Sequence, residues 1–492
     1  MPVHSLTILG GGNTAFAVAA NLSLAGFEVT LCEIPSFRHA VEPILPSRQI
    51  SLGGVAHRET ARLHAVTTDF AEALARNDLV LLIVPAYAHK PFAEACAPHL
   101  RPGQVVVLTP GTLGSLEFAR ILRERGAAPG VILAETDTAP YVCRKTGPAE
   151  AHIWGVVSGL GLGVFPATQT ERVRELVGEL FPGTRAYPNV LACGLAAMNP
   201  VVHPAGVLLN AGRIERSRGE FCFYEEGVTP AVCQLIYAVD RERLAIAREL
   251  GLQLPPVDEA FHAAGFGPKG DLWATINGSR MLTQLRAPGA LETRWLTEDV
   301  PYGLAAWAAL AEQLGLGAPT MRALVHLTSA ALGIDLGKSA RTMRDLGLSG
   351  LNKDGMLEYV QYGVGGTANG IPPERRLRGK SGPARRFPQT PRQTGWQDLR
   401  GLGGRRLACR ARRRRAARVG PPPVVGLPFR PTLPDDSPVS ICGAGARRGN
   451  AGKRFRPRRG GRWKRLCCPG RPMVDHSSRE GTTVLPLPSQ SG

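Results

Sequence analysis

A glycine-rich turn near the N-terminus restricts the fold of this chain more than any other feature. The turn reads Gly-x-Gly-x-x-Ala and joins a strand-length apolar run, Leu6–Leu9, to a segment with helical periodicity. In such a unit the first glycine permits the tight turn, the second lets a pyrophosphate approach the backbone, and the small third residue lets the helix pack on the strand. The free N–H groups at the start of the helix bind the phosphates. The turn therefore predicts a dinucleotide-binding site made of Gly10, Gly12, Asn13, Thr14 and Ala15.

An acidic residue stands at the distance that this kind of site requires. Glu33 follows the next strand-like segment, Phe27–Cys32, and lies 21 positions after Gly12. A carboxylate at the end of the second strand accepts hydrogen bonds from the adenosine ribose and repels a 2′-phosphate. The sequence thus favours NAD as the cofactor, and the nearby Arg38 keeps NADP open as the alternative.

Strand-like and helix-like segments alternate through the first 188 residues. Three continuous apolar runs, Asp78–Val84, Gln104–Leu108 and Val131–Glu135, suit parallel strands that are covered on both faces. The helical segments between them predict a doubly wound parallel sheet, which is an α/β Rossmann domain over residues 1–188. Ligands bind beyond the carboxyl ends of such strands, so Pro85 is predicted to lie beside the cofactor.

Residues 189–363 show helical periodicity instead and are predicted to form a helical substrate domain. Two of its segments, Met198–Pro204 and Arg294–Pro301, are unusually polar for their setting and are candidates for the second wall of a cleft. Residue types alone leave open whether His203 is a core histidine or a catalyst. They also leave open whether Arg294 and Asp299 form a surface ion pair or part of a site.

The C-terminal segment, residues 364–492, differs from the rest in composition. It holds 29 of the 59 lysines and arginines but only 6 of the 40 acidic residues, so its net charge is +23, while residues 1–363 have a net charge of −4. Its richness in Arg, Pro and Gly and its lack of hydrophobic periodicity predict a disordered basic tail. A frameshifted or read-through extension is the favoured interpretation. A nucleic-acid-binding arm is the weaker one, because few aromatic residues are present to stack on bases.

Cysteine spacing and hydropathy exclude several classes of protein. The ten cysteines form no Cys-x-x-Cys pair and no Cys/His cluster with zinc spacing, so no metal site is predicted. Their scatter among apolar residues fits a reducing compartment. We expect no secretory signal and no apolar run of membrane-spanning length. The protein is therefore predicted to be cytoplasmic, without a membrane partner.

Nine segments spread over residues 4–363 together form a specific pattern. They are GGGNTA, DLVLLIVPAYAH, VVVLTPGTLG, ETDTAPYVCR, MNPVVHPAGVLLNAG, FYEEGVTP, DRERLAIARELG, RWLTEDVPYGL and GIDLGKSARTMRDLGL. This pattern resembles the octopine/nopaline (opine) dehydrogenase family. The resemblance implies a Rossmann domain followed by an all-α C-terminal domain of the 6-phosphogluconate dehydrogenase-like type. It also implies the reaction, which is the NAD(P)H-dependent reductive condensation of an amino acid with a 2-oxo acid, or the reverse oxidation.

The resemblance further implies roles for individual side chains. His203 matches the histidine that donates and accepts a proton in the family, and Asp299 matches the aspartate paired with it. Arg294, five residues before that aspartate, is expected to bind a substrate carboxylate through its planar guanidinium fork. Thr138 and Asn199 are expected to be further substrate-binding residues.

Two other functions stay open at the level of sequence. The same scaffold supports reduction of a simple 2-oxo or 2-hydroxy acid, and a non-catalytic NAD-binding or nucleic-acid-associated protein is the third hypothesis. The intact pair of His203 and Asp299 favours a catalyst over the last of these. Trp295 departs from the tyrosine expected in many relatives, so substrate choice is expected to differ if its ring lines the pocket. The oligomeric state is left open, a dimer included.

Truncation after Gly363 tests the interpretation of the tail. If residues 364–492 are an extension without a role, the shortened chain keeps its dehydrogenase activity and its cooperative unfolding. NADH oxidation and calorimetry on the two chains measure this. Loss of activity or of stable folding in the shortened chain would contradict the interpretation.

Overall fold

A computed structural model describes residues 3–127 and 129–363 of the chain, and the predicted disordered basic tail lies outside these residues. The described strands are β1 (Ser5–Leu9), β2 (Glu28–Cys32), β3 (Gln49–Gly54), β4 (Thr60–Arg62), β5 (Ala65–Thr67), β6 (Leu79–Leu82), β7 (Val105–Leu108), β8 (Ile132–Thr136), β9 (Tyr141–Gly147), β10 (Glu150–Val156), β11 (Gly161–Phe165) and β12 (Arg185–Ala186).

The α-helices fall into two groups along the chain. Those interleaved with the strands are α1 (Asn13–Leu24), α2 (Phe70–Ala75), α3 (His89–Cys96), α4 (Gly114–Glu124) and α5 (Thr170–Leu180). Those that follow the last strand are α6 (Val190–Ala196), α7 (Asn199–Leu209), α8 (Ala211–Ser217), α9 (Pro230–Glu249), α10 (Val257–Ala263), α11 (Leu272–Asn277), α12 (Arg294–Thr297), α13 (Ala305–Gln313), α14 (Pro319–Leu332) and α15 (Lys353–Tyr362). Two further segments, Phe223–Gly227 and Asp299–Leu304, form π-helical turns.

The main sheet confirms the predicted Rossmann architecture. Its strand order is β12-β11-β8-β7-β6-β1-β2-β5, and the six strands from β8 to β5 all run parallel. β11 reverses direction against β8, and β12 runs parallel to β11. β6, β7 and β8 are buried along their whole length, which explains why the sequence shows them as unbroken apolar runs.

A second sheet of four strands, in the order β4-β3-β10-β9, does not follow from the sequence pattern. Its members are short or half-buried, and β9 and β10 pair with two shifts in register. It packs beside the glycine turn through Lys145 on β9. The backbone N–H of Lys145 donates to Asn13 Oδ1 at 2.8 Å, and its ammonium lies 3.5 Å from the centre of the Phe16 ring.

The part of the chain after the last strand is helical, as its periodicity predicts, but one sequence expectation was wrong. The run Val190–Leu209 is apolar and long enough to cross a membrane, with a mean hydropathy of 1.4 in its most apolar part. Of that part, 89% is buried inside the protein, and the run is divided by an extended residue, Ala197, between α6 and α7. Its hydrophobicity is explained by its place in the core, because helices packed on all sides are apolar all round.

A buried arginine joins the helical part to the Rossmann part. Arg341, in the segment between α14 and α15, donates from Nε to Glu117 on α4 at 2.8 Å. Its other nitrogens donate to the carbonyl oxygen of Thr112 at 2.6 Å and to Nδ1 of His89 at 3.2 Å. A buried charge is tolerated only when it is paired and hydrogen-bonded in this way, so the contact fixes one part against the other.

Candidate active site

A cavity of about 500 Å³ lies between the two parts, and five of the twelve predicted site residues line it. The main sheet's side contributes Thr14 from α1 and Thr138 from the loop after β8. The helical side contributes Asn199 and His203 from α7 and Arg294 from α12. Asp137 and Thr138 follow the carboxyl end of β8 and line this cavity, as expected for a ligand site in a doubly wound sheet.

The glycine turn has the shape that a dinucleotide needs. Gly10 has a φ of +115°, and a Cβ there would lie 2.5 Å from the carbonyl oxygen of Ile83, so the turn itself requires glycine. Gly12 is different, because its φ is −79° and a Cβ there would meet no atom within 4 Å. The open space beside Gly12 and the absence of a side-chain cap on α1 leave room and donors for a pyrophosphate. Ala15 is fully buried against the sheet.

Glu33 lies beside this turn, where the sequence predicts the ribose contact. Its Oε2 accepts a hydrogen bond from the backbone N–H of Gly11 at 2.6 Å, and its Oε1 accepts one from Ile34 at 2.7 Å. Burial raises the pKa of Glu33, while these two hydrogen bonds and the charge of Lys145 act to lower it. Each oxygen keeps a second lone pair with which to accept from a hydroxyl group.

Asn13 and Pro85 have structural roles in addition to their predicted place at the cofactor. The side-chain oxygen of Asn13 accepts a hydrogen bond from the backbone N–H of Lys145. The NH₂ group of Asn13 is the part of the side chain that can donate to a phosphate. Pro85 lies three residues after the end of β6 and caps a short 3-10 turn, Ala86–Ala88. The N–H of Ala86 donates to Glu298 Oε1 at 2.8 Å, which fixes this loop to the helical part.

His203 is held by a hydrogen bond at each ring nitrogen. Its Nδ1 lies 2.8 Å from Asp299 Oδ2, and its Nε2 lies 3.0 Å from the hydroxyl of Tyr224. A carboxylate only accepts, so Nδ1 carries the proton and Nε2 of the neutral ring is the acceptor. His203 is 8% exposed. The structure brings together the histidine and the aspartate that the resemblance pairs.

The indole of Trp295 covers one face of this histidine. The two rings are stacked, with their centroids 4.3 Å apart and their planes 9° from parallel. Phe223 packs edge-on against the same indole at 4.7 Å. Trp295 also lines the cavity, so the departure from the family pattern at this position lies in the pocket wall.

Arg294 and Glu298 form an ion pair across one turn at the mouth of the cavity. Arg294 Nε lies 3.8 Å from Glu298 Oε2, and the arginine side chain is 51% exposed. Burial raises the pKa of the Glu298 carboxyl, and the charge of Arg294 counteracts this. The half-exposed guanidinium remains accessible to a carboxylate that enters the cavity.

The loop after β8 supplies a further part of the wall. The carbonyl oxygen of Thr138 accepts from the Thr136 hydroxyl at 2.7 Å, which holds the loop in place. Its neighbour Asp137 accepts from the Tyr187 hydroxyl and from the backbone N–H of Gly161, each at 3.0 Å. Burial raises the pKa of Asp137 despite these bonds.

Sequence reasoning missed two side chains that touch the predicted residues. Tyr224 lies in the segment FYEEGVTP, which carried the resemblance without a role for any of its residues. Glu298 directly precedes Asp299, and no pattern in the sequence indicates that its carboxylate is buried. Among the residues that the structure describes, no group of three His, Cys, Asp or Glu side chains converges as a metal site.

The fold, the glycine turn and the cavity define an NAD(P)-dependent oxidoreductase. A family model for the alpha-helical domain of NAD/NADP octopine/nopaline dehydrogenases matches residues 186–332. An opine dehydrogenase of Arthrobacter sp. (strain 1C) is 34% identical over 355 residues, which cover 72% of this chain and 98% of that protein. The chain belongs to the opine dehydrogenase family, and it acts on CH–NH or CH–OH groups.

More distant relatives agree with this placement. The ocs protein of Agrobacterium tumefaciens (strain Ach5) is 26% identical over 361 residues and is covered to 98%. A solved octopine dehydrogenase in complex with NADH and agmatine superposes with a TM-score of 0.60 at 20% identity, over 72% of this chain and 97% of that one. An NADP⁺-bound yersinopine dehydrogenase superposes with a TM-score of 0.54 at 15% identity, over 73% and 97%. These structures share the fold of this chain.

Gly12→Ala is expected to separate cofactor binding from folding. The new Cβ meets no protein atom but occupies the space beside the turn, so unfolding stays normal while the Kd for NADH rises at least tenfold, about 1.4 kcal/mol. NADH fluorescence titration and thermal unfolding measure the two effects. Gly178→Ala, also in open space but on α5, is the matched control and leaves NADH binding unchanged. Unaltered NADH binding by Gly12→Ala would contradict the assignment of this turn.

Proposed function

We propose that His203, Asp299 and Arg294 carry the reaction of the family in this chain, the reductive joining of an amino acid to a 2-oxo acid. The observation that carries this proposal is the hydrogen-bonded pair of His203 and Asp299 in a cavity that Thr14 of the cofactor helix also lines. A proton-transfer group and a dinucleotide-binding turn then face one substrate.

His203 is the general acid and base of the proposal. A histidine changes its charge near neutral pH, so it can give a proton to the carbonyl oxygen of the oxo acid and take one from nitrogen. Asp299 holds the ring in the tautomer with the proton on Nδ1 and stabilises the imidazolium. NAD(P)H, when bound, supplies the hydride that reduces the imine carbon.

The other predicted residues bind and orient the cofactor and the substrates. The pyrophosphate is surrounded by the backbone amides at the start of α1 and by Gly10, Gly12, Asn13, Thr14 and Ala15. Pro85 borders the cofactor. Glu33 accepts from the ribose hydroxyls and disfavours a 2′-phosphate, which supports NAD over NADP. Arg294 binds a substrate carboxylate, and Thr138 and Asn199 contact the substrates from the two sides of the cavity.

The domain boundaries and the cellular compartment of the protein are part of the same proposal. We propose a cofactor domain over residues 1–188 and a substrate domain over 189–363, which is supported by the start of the family's helical domain at residue 186. The cytoplasm is the proposed location, supported by the six cysteines of the described residues, all of which are free thiols.

The charges around the cavity favour an amino acid without a positive side chain. Four arginines line it, namely Arg144, Arg185, Arg243 and Arg294, and Asp137 is the one acidic lining residue among those that the structure describes. The carboxylate of Asp137 already accepts from Tyr187 and Gly161. The remaining wall is largely apolar, with Phe261, Phe266, Leu282 and Leu285 among its members. A cationic side chain would thus lose its hydration without gaining a free anion.

A screen of amino acids with pyruvate or 2-oxoglutarate tests both the reaction and this preference. NADH oxidation is expected to need both the amino acid and the oxo acid, and norleucine is expected to exceed lysine at least tenfold in kcat/KM, about 1.4 kcal/mol. Oxidation that is equally fast without any amino acid would instead identify a simple oxo-acid reductase. A preference for lysine or arginine would refute the substrate preference and leave the reaction standing.

His203→Ala is expected to lower kcat by roughly 10²–10⁴-fold, which is the usual worth of a positioned acid or base. NADH binding should stay unchanged, because the glycine turn is untouched. Steady-state kinetics and NADH titration measure the two quantities. His326→Ala, an exposed histidine on α14 outside the cavity, is the matched control. Undiminished turnover by His203→Ala would reject the proposed role.

A further inference from the structure

The hydrogen bonds of His203 leave no free ring nitrogen for a substrate. Asp299 occupies Nδ1, and the hydroxyl of Tyr224 occupies Nε2 at 3.0 Å. The stacked indole of Trp295 covers one face of the ring. An imidazole exchanges protons only through its nitrogens, in the plane of the ring. Any proton that passes between His203 and a substrate therefore meets the oxygen of Tyr224.

Tyr224 itself faces the cavity from a rigid position. Its residue is among those that line the cavity together with His203 and Arg294. Its ring packs edge-on against Phe223, with the centroids 5.1 Å apart. The π-helical turn Phe223–Gly227 that carries it is fastened to α7, because Asn210 Nδ2 donates to the carbonyl oxygens of Gly206 and Gly227, each at 2.9 Å. A phenol held in this way keeps its distance from the imidazole without cost in side-chain entropy during turnover.

We propose that Tyr224 is a further catalytic residue, which passes the proton between His203 and the reacting substrate. This proposal rests on the role of His203 given above. A hydroxyl suits the task because it donates one hydrogen bond while it accepts another. With His203 protonated, Nε2–H donates to the Tyr224 oxygen and the phenolic hydrogen points to the substrate. With His203 neutral, the phenolic hydrogen points to Nε2 and the oxygen accepts from the substrate.

Protons and electron pairs are conserved when the condensation step follows this path. The substrate amine attacks the carbonyl carbon, a C–N bond forms, and the electron pair of the C=O π bond moves to oxygen. That oxygen takes the proton of Tyr224 while Tyr224 takes the Nε2 proton of His203, which becomes neutral. The ammonium proton of the adduct then returns by the same path, so that Tyr224 is unchanged and His203 is protonated again for the loss of water.

The two transfers at Tyr224 occur together. Burial, and next the charge of Asp299, hold the pKa of the Tyr224 phenol well above its usual range. A free tyrosinate is therefore not formed, and the phenol releases its proton only as it receives another. Two protons move in one step, and this is the property that an experiment can detect.

Tyr224→Phe removes the hydroxyl and keeps the ring that packs against Phe223 and Trp295. We expect kcat for the condensation to fall at least roughly 100-fold with NADH binding and thermal unfolding unchanged. A proton inventory, in which kcat is measured across mixtures of H₂O and D₂O, is curved for the unaltered chain and linear for the variant. Tyr359→Phe is the matched control, because this buried phenol on α15 finds no hydrogen-bond partner among the described residues. A variant Tyr224→Phe with kcat within about threefold and an unchanged inventory would overturn the relay.

Replacing Tyr224 by fluorotyrosine separates proton transfer from mere positioning of His203. Fluorination makes the phenol more acidic with almost no change in shape, so kcat and the isotope effect follow the acidity if the proton passes through this oxygen. A constant kcat across fluorotyrosines would show a positioning role and refute the relay, also in the case that Tyr224→Phe folds poorly. His203→Ala distinguishes the two proposals, because an active His203→Ala refutes the role of the histidine. An inactive His203→Ala beside a fully active Tyr224→Phe refutes the relay alone.

Discussion

The hydrogen bond from the backbone of Ala86 to the partly buried carboxylate of Glu298 joins the helical part to the parallel sheet beside the cavity. The bond joins the loop after β6 to the turn that follows α12. Asp299, the next residue, holds His203, and Arg294, one helical turn earlier, faces the same cavity. Because these groups belong to one short stretch of chain, the contact that holds the two parts together also sets the proposed proton donor and the proposed carboxylate-binding arginine against the glycine turn.

Other buried charges also hold the helices in this arrangement. Arg341 fixes the segment after α14 to Glu117 on α4, and Arg243 pairs with Asp240 while donating to the carbonyl oxygen of Leu195. Such pairs add little net stability, since the cost of removing charges from water is close to what their attraction returns. Their geometry is exacting, however, and removing one partner would leave the other charge buried and alone. These pairs fix the positions of helices and contribute little to the free energy of unfolding.

The sequence was most informative where structure is local. Apolar runs predicted β6, β7 and β8, and the glycine spacing predicted the turn before α1, because both patterns depend on neighbours along the chain. The second sheet stayed hidden, since β3 pairs with β10 about a hundred residues away and no pattern of neighbouring residues indicates that pairing. The pairing of His203 with Asp299, 96 residues later, came from the resemblance and not from the residues themselves. Tyr224 was missed because a π-helical turn has no periodic signature and its partner lies in another helix.

The stacking of Trp295 on His203 places a fluorescent ring against the proposed proton donor. An indole in contact with an imidazole loses part of its emission by electron transfer, and the charged ring is the stronger acceptor. The light emitted by this one tryptophan therefore depends on whether the neighbouring histidine carries its proton. Because the two rings are 4.3 Å apart and nearly parallel, that dependence is built into the resting protein. Trp295 stands where the resemblance implies a tyrosine in many relatives, and its emission reports the protonation state of the site without any added dye.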